Sequence, residues 1–228
     1  MRTILKVLSA CVLSAAVPAA LASGGGSMPS MPRPAARVAT PEQQARDLYN
    51  DGVGYVKKAD KLDSEAARLS DAGKKERETR DAHDRYANAL GKFQQAVQLD
   101  PQRYEAWNYL GYTSRKLGHY DDALSAYDRA LSLKPGYPDA IEYRGEAYLA
   151  VNRLDDAKQA YLNLFAGNRA LADKLLTAMK GWVAAQRAAP AGDNAPSVEE
   201  LDKWIQERTQ IAAQTASLTR AGTASAWR

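Results

Sequence analysis

Few side chains in this sequence could carry out catalysis or bind a metal. The chain of 228 residues has two histidines, His83 and His119, and a single cysteine, Cys11. His119 follows Gly118, as is typical of a polar turn residue, and His83 lies in a highly charged segment. A zinc site of Cys or mixed Cys/His type needs several such ligands. We therefore expect no metal site and no histidine-based catalytic site.

Motifs for phosphate binding and covalent catalysis are also missing from the sequence. It contains no Gly-x-Ser-x-Gly elbow, no Gly-x-x-x-x-Gly-Lys-Ser/Thr loop and no dinucleotide fingerprint. The paired carboxylates Asp121-Asp122 recur further along the chain as Asp155-Asp156, and each pair stands at the predicted start of a helix. Acidic residues are favoured there by the helix dipole. We interpret them as structural, and predict that the protein is not an enzyme and needs no cofactor.

Composition places the chain among ordinary globular proteins rich in helix. Hydrophobic residues make up 45% and charged residues 25% of the chain, with abundant alanine and only two phenylalanines. The formal net charge is +4, of which Arg2 and Lys6 near the N-terminus contribute two. Basic and acidic residues are interleaved in the remainder, which argues against a nucleic-acid partner.

A 34-residue period runs through the centre of the sequence. Small, aromatic, glycine and proline positions all recur at this spacing: Ala89, Ala123 and Ala157; Phe93, Tyr127 and Tyr161; Gly111 and Gly145; Pro101 and Pro135. Such a period indicates stacked helix-turn-helix units, in which each unit buries its apolar face against its neighbours.

The segment from Glu105 to Pro135 resembles a tetratricopeptide repeat. It matches seven of eight signature positions, with Ser114 in place of the usual tyrosine; the matching residues are Trp107, Leu110, Gly111, Ala123, Tyr127, Ala130 and Pro135. The resemblance implies an all-α fold, a short right-handed solenoid of about three repeats over residues 41–169. The second and third repeats are expected at about 103–136 and 137–170.

The first repeat is predicted to carry a long hairpin. Its first helix is placed at Arg46 to Lys58 and its second around Tyr86 to Ala96, separated by a charged insertion at 59–83. Two helical arms of about 12 residues would project roughly 18 Å. We interpret the hairpin as a solvated arm. The alternative is a partner-binding or dimerising prong that uses the apolar stripe of Leu62, Ala66 and Leu69.

Both ends of the chain lack the repeat signature. Residues 170–214 are expected to form a two-helix cap whose last helix starts at a capping box, Ser197 to Glu200, and fades after Gln214, which leaves 215–228 frayed. Residues 1–22 are typical of a secretory signal peptide and 23–40 of a flexible Gly/Pro-rich tether. We favour cleavage near Ala22 over lipidation at Cys11, because only four residues separate Lys6 from Cys11. Neither end predicts a transmembrane segment.

The resemblance also supplies candidate binding residues. In this family the first helices of the repeats line a concave groove, and the groove positions map here onto Tyr49, Val53, Asn108, Tyr112, Arg115, Glu142, Glu146 and Leu149. Glu142 and Glu146 stand where the family's carboxylate-clamp members need cations. This departure argues against recognition of that kind and suits a partner with some positive charge.

We therefore expect a noncatalytic periplasmic or secreted scaffold that binds a protein or peptide segment in this groove, in cell-envelope assembly by analogy with the family. Two alternatives remain open at this point. One is a self-associating structural protein. The other is an accessory subunit or enzyme that acts on cell-wall material.

Overall fold

The structure, a computed structural model, describes residues 39–189 and 195–225. The predicted signal peptide, the tether up to residue 38 and Cys11 lie outside these ranges. Within them the chain forms eight α-helices and no strand, which confirms the all-α prediction. The helices are α1 (Pro41–Ala66), α2 (Ala72–Leu99), α3 (Tyr104–Lys116), α4 (Tyr120–Leu133), α5 (Pro138–Ala150), α6 (Leu154–Gly167), α7 (Arg169–Ala188) and α8 (Ala195–Ser225).

The first helix begins at Pro41, ahead of the segment Arg46 to Lys58 on which the repeat motif was placed. The Gln43 amide donates to the Thr40 hydroxyl oxygen at 3.3 Å, and the Thr40 amide donates to the Gln43 side-chain oxygen at 3.0 Å. Pro41 occupies the first turn, where its missing N–H costs nothing. This capping box satisfies amides that the first turn would otherwise leave unpaired.

The first two helices form the predicted elongated hairpin. They contain 26 and 28 residues, against 13 or 14 in each of the next four helices. Leu62 and Ala66 pack inside the hairpin, and Ala66 is buried. The apolar stripe suggested as a binding or dimerising surface is therefore largely part of the hairpin's own core, where it packs α1 against α2.

The repeats pack in two layers. Helices α1, α3, α5 and α7 lie side by side in one layer, and α2, α4 and α6 pack against them from outside. Gly111 of α3 lies directly under the buried ring of Tyr127 of α4, as the signature predicts, and Gly52 of α1 lies in the same way under Phe93 of α2. Gly145 of α5 instead faces Leu175 of α7.

These glycines can be tested with a matched pair of alanine substitutions. A Cβ at Gly111 would lie 2.6 Å from the Tyr127 ring, whereas a Cβ at Gly91 of α2 would have no neighbour within 4 Å. Overpacking a core costs about 1–3 kcal/mol, and alanine recovers at most about 1 kcal/mol of helix propensity. We expect Gly111→Ala to lower the free energy of unfolding in urea melts and Gly91→Ala to raise it. Equal effects would show that Tyr127 moves aside freely.

The predicted C-terminal cap is present, with different helix ends. Leu175 and Met179 of α7 and Leu201 and Ile205 of α8 are buried in one cluster with residues of α5 and α6. Helix α8 begins at Ala195, so Ser197 lies inside its first turn and is not the cap residue. Pro196 permits this earlier start, because a proline there needs no amide partner.

The prediction that the last helix fades after Gln214 is wrong. It continues to Ser225, through a stretch that contains no proline to stop it.

Candidate functional site

A row of four tyrosines crosses the layer formed by α1, α3 and α5. The ring centroids of Tyr49 and Tyr109 are 5.8 Å apart, those of Tyr109 and Tyr112 are 6.4 Å apart, and those of Tyr112 and Tyr143 are 4.9 Å apart. All four rings are partly buried. We call Tyr49, Tyr109, Tyr112 and Tyr143 the tyrosine row. It presents aromatic faces and hydroxyl groups on one side of the repeats.

Two members of this row were missed by the sequence prediction. Tyr109 and Tyr143 do not fall on the mapped groove positions, yet they stand one repeat period apart. The same period that defines the repeats could therefore have identified them as equivalent side chains on successive first helices.

Arg115 and Glu146 form an ion pair beside the tyrosine row. The Arg115 Nη1 atom lies 2.6 Å from Glu146 Oε2, and the two side chains are 16% and 18% exposed. The Arg115 guanidinium also lies 5.4 Å from the ring centroid of Tyr112 and 5.8 Å from that of Tyr143. Charge, aromatic surface and hydrogen-bonding groups thus meet across α3 and α5.

Glu142 is completely buried next to this pair. Its Oε2 accepts a hydrogen bond of 2.9 Å from Lys174 Nζ of α7, and its carboxyl also lies within hydrogen-bonding reach of Glu146. Burial, followed by the hydrogen bond and charge of Glu146, raises the pKa of Glu142 from 4.5 to about 8, although Lys174 opposes the shift. Lys174 also lies 4.7 Å from the Tyr143 ring centroid, so the cap helix contributes to the site.

The base of the long arm also reaches the site. Asp60 Oδ1 of α1 accepts hydrogen bonds of 2.6 Å from the hydroxyls of both Tyr112 and Tyr86. Asp63, one turn further along, pairs with Lys116 of α3. Burial, together with the Asp60 carboxylate, raises the pKa of Tyr112 above its ordinary value, so this phenol stays a neutral donor.

Three predicted groove residues, Asn108, Glu142 and Leu149, are inaccessible. Asn108 is 2% exposed and Leu149 is 4% exposed. Leu149 is covered because α7 packs against its helix, and it joins the cluster of Leu175 and Leu176. Val53 packs against the core around Val56 and Phe93. The remaining predicted positions, Tyr49, Tyr112, Arg115 and Glu146, lie in or beside the tyrosine row, and Glu142 lies beneath it.

The residues weighed for catalysis are spread over the repeats. Asp121-Asp122 and Asp155-Asp156 occupy the first turns of α4 and α6, where the helix dipole favours them. His83 and His119 are exposed on separate elements. Over residues 39–189 and 195–225, no three His, Cys, Asp or Glu side chains are grouped to hold a metal, and no helix could span a bilayer.

Comparison with known families gives matches in the central part of the chain. Two tetratricopeptide repeat models match the sequence, one over residues 78–138 and one over residues 114–178. A search of curated proteins gives no match.

Among solved structures, the chain is similar to the TPR2B domain of yeast Sti1 in its complex with pHsp70, with 13% identity and a TM-score of 0.38 over 72% of this chain and 98% of that one. It is also similar to a chain of the CopN–Scc3 complex, with 16% identity and a TM-score of 0.39 over 79% of this chain and 81% of that one. Likenesses at this level concern the helical fold alone.

Proposed function

Because residues 78–178 carry tetratricopeptide repeats, we propose that this protein is a noncatalytic scaffold that binds a protein or peptide segment against the tyrosine row. The observation that supports this proposal is the continuous surface made by the tyrosine row and the Arg115–Glu146 pair. Tyrosine and arginine are among the residue types that most often dominate binding energy at protein interfaces.

The surface is held in place before any partner arrives. The Tyr112 hydroxyl is fixed by Asp60, and Arg115 is fixed by Glu146 while it lies over two tyrosine rings. Side chains already ordered in the free protein lose little conformational entropy on binding, which favours affinity.

The charges on this surface suit a partner segment that carries a lysine or arginine. Two cations of the described site pair with carboxylates, Arg115 with Glu146 and Lys116 with Asp63. Lys174 donates a hydrogen bond to the buried Glu142 carboxyl, and Arg103 lies over the Tyr49 ring. Asp60, by contrast, accepts from two tyrosine hydroxyls and forms no ion pair with a cation of the described site. A cationic side chain at the base of the arm would complement it.

We further propose that the protein works in the periplasm or outside the cell, in the assembly of envelope or secreted complexes. The support is the sequence of residues 1–22, with basic residues followed by an apolar run and a small-x-small cleavage site.

The binding surface can be tested with a double variant, Tyr112→Ala with Arg115→Ala. A partner captured from envelope extract by residues 23–228 would be purified and its affinity measured by calorimetry. We expect the double variant to bind at least about tenfold more weakly, since hot-spot truncations commonly cost about 2 kcal/mol or more. Its helical circular dichroism should match that of the parent.

A matched control is the double variant Tyr120→Ala with Arg129→Ala, which removes the same two residue types from the outer helix α4. It should bind as the parent does. Unchanged affinity in the Tyr112/Arg115 variant, or a loss confined to the α4 variant, would refute binding at the tyrosine row.

A further inference from the structure

A cavity of about 470 Å³ opens between the outer helices α2 and α4. Its walls include Leu90 and Gln94 of α2, Trp107 and Ser114 of α3, and Asp122 at the start of α4, with His119 at the rim. This volume is in the range of sites that hold a small ligand or a large side chain. Apolar surface with a few polar groups is the usual lining of such sites.

At the equivalent position of the next repeat, the space is filled by a side chain of the protein itself. Tyr148 stands one repeat period after Ser114, at the same point of the next repeat, and is buried. The two positions make the same backbone hydrogen bond. The His119 amide donates to the Ser114 carbonyl at 2.8 Å, and the Arg153 amide donates to the Tyr148 carbonyl at 2.8 Å. The backbone at Ser114 therefore resembles the backbone that carries a tyrosine in the next repeat, but the smaller serine side chain does not fill the space of the ring.

The walls of the cavity also recur around Tyr148. Leu90 and Asp122 correspond to Leu124 and Asp156 one period later, and His119 corresponds to Arg153. Leu124 packs against the cluster that contains Tyr148. The Arg153 guanidinium lies 4.5 Å from the Tyr148 ring centroid and is bound by Asp156 at 2.7 Å.

We propose that the cavity at Ser114 binds a tyrosine side chain of a partner protein, in the place that Tyr148 takes in the following repeat. The ring would lie between Leu90 and Trp107, with the hydroxyl near the polar groups of Gln94, His119 and Asp122. This surface is separate from the tyrosine row, and the proposal does not depend on the function assigned to that row.

The probe for the test is p-cresol, the side chain of tyrosine as a free molecule. It would be titrated into the mature chain while the indole N–H signal of Trp107, which donates to the Pro101 carbonyl, is followed by NMR. We expect saturable shifts with a Kd on the order of 1 mM, as suits so small a ligand. The saturated analogue 4-methylcyclohexanol should bind about two- to tenfold more weakly, because it has no aromatic ring to pack against Trp107.

The variant Ser114→Tyr should fill the cavity with its own ring. It is expected to raise the midpoint of thermal unfolding and to weaken p-cresol binding at least about tenfold. The same substitution at an exposed site of α4, Ser132→Tyr, should leave both quantities unchanged. If Ser114→Tyr fails to fold, Gln94→Tyr would block the cavity from the exposed wall of α2.

Three results would overturn the proposal. One is the absence of saturable shifts at Trp107 up to p-cresol concentrations well above the expected Kd. Another is equal affinity for p-cresol and 4-methylcyclohexanol. The third is undiminished p-cresol binding in a folded variant whose cavity is blocked.

Discussion

Replacement of Phe93 by alanine should destabilise this protein by about 3–5 kcal/mol. Phe93 is completely buried where α1, α2 and α3 meet. Its ring rests on Gly52 and lies 5.3 Å from the ring of Tyr109 in a stacked arrangement. Gly52 has no side chain that could move into the space left by the ring, so a cavity would remain.

The loss would be a large fraction of the free energy of unfolding, which is about 5–15 kcal/mol for a typical domain. It would be measured by urea unfolding followed by circular dichroism, with the midpoint expected to fall and the slope to stay constant. The chain offers a matched control in its other phenylalanine, Phe165, which is only partly buried and lies under Arg169. Phe165→Ala should cost about 1–2 kcal/mol. Equal losses would show that Phe93 does not anchor the first repeat.

The repeats can be predicted from the sequence because each signature residue makes a specific contact within its own repeat. Gly111 must admit the ring of Tyr127, and the same geometry recurs at Gly52 and Phe93 despite the insertion between them. The insertion could be interpreted as a hairpin because its arms keep helical spacing and close on themselves. Such relations depend on neighbours within one unit, and the regular repeat period makes them visible in the sequence.

The candidate site was predicted less completely, because it depends on contacts between units. The cap helix lacks the repeat signature, so nothing in the sequence indicated that Lys174 would reach Glu142 or that α7 would cover Leu149. Asp60 lies in an insertion with no counterpart in the other repeats, and its bond to Tyr112 could not be mapped. Tyr109 and Tyr143 could have been predicted, because they lie one period apart and therefore occupy equivalent positions in two repeats.

Glu142 makes the stability of this site depend on pH. Its buried carboxyl faces Lys174 of α7, Glu146 and Tyr143 of its own helix, and Arg115 of α3 through Glu146. Its pKa rises from 4.5 to about 8 on folding, chiefly because burial penalises the carboxylate. Between these two values the folded protein holds a proton that the unfolded chain has released. Stability must therefore fall as the pH rises through this interval.

The variant Glu142→Gln should remove this dependence, because the amide keeps the shape of the protonated carboxyl and cannot ionise. One proton changes stability by at most about 1.4 kcal/mol per pH unit. We expect urea unfolding of the parent to show a decline from about pH 5 to about pH 8 that the variant lacks, so that the variant gains stability relative to the parent as the pH rises. Glu199→Gln, on the exposed side of α8, should follow the parent. If the curves for the parent and Glu142→Gln run parallel, Glu142 is already ionised at the acidic end of this range, and Lys174 outweighs both burial and the neighbouring carboxylate.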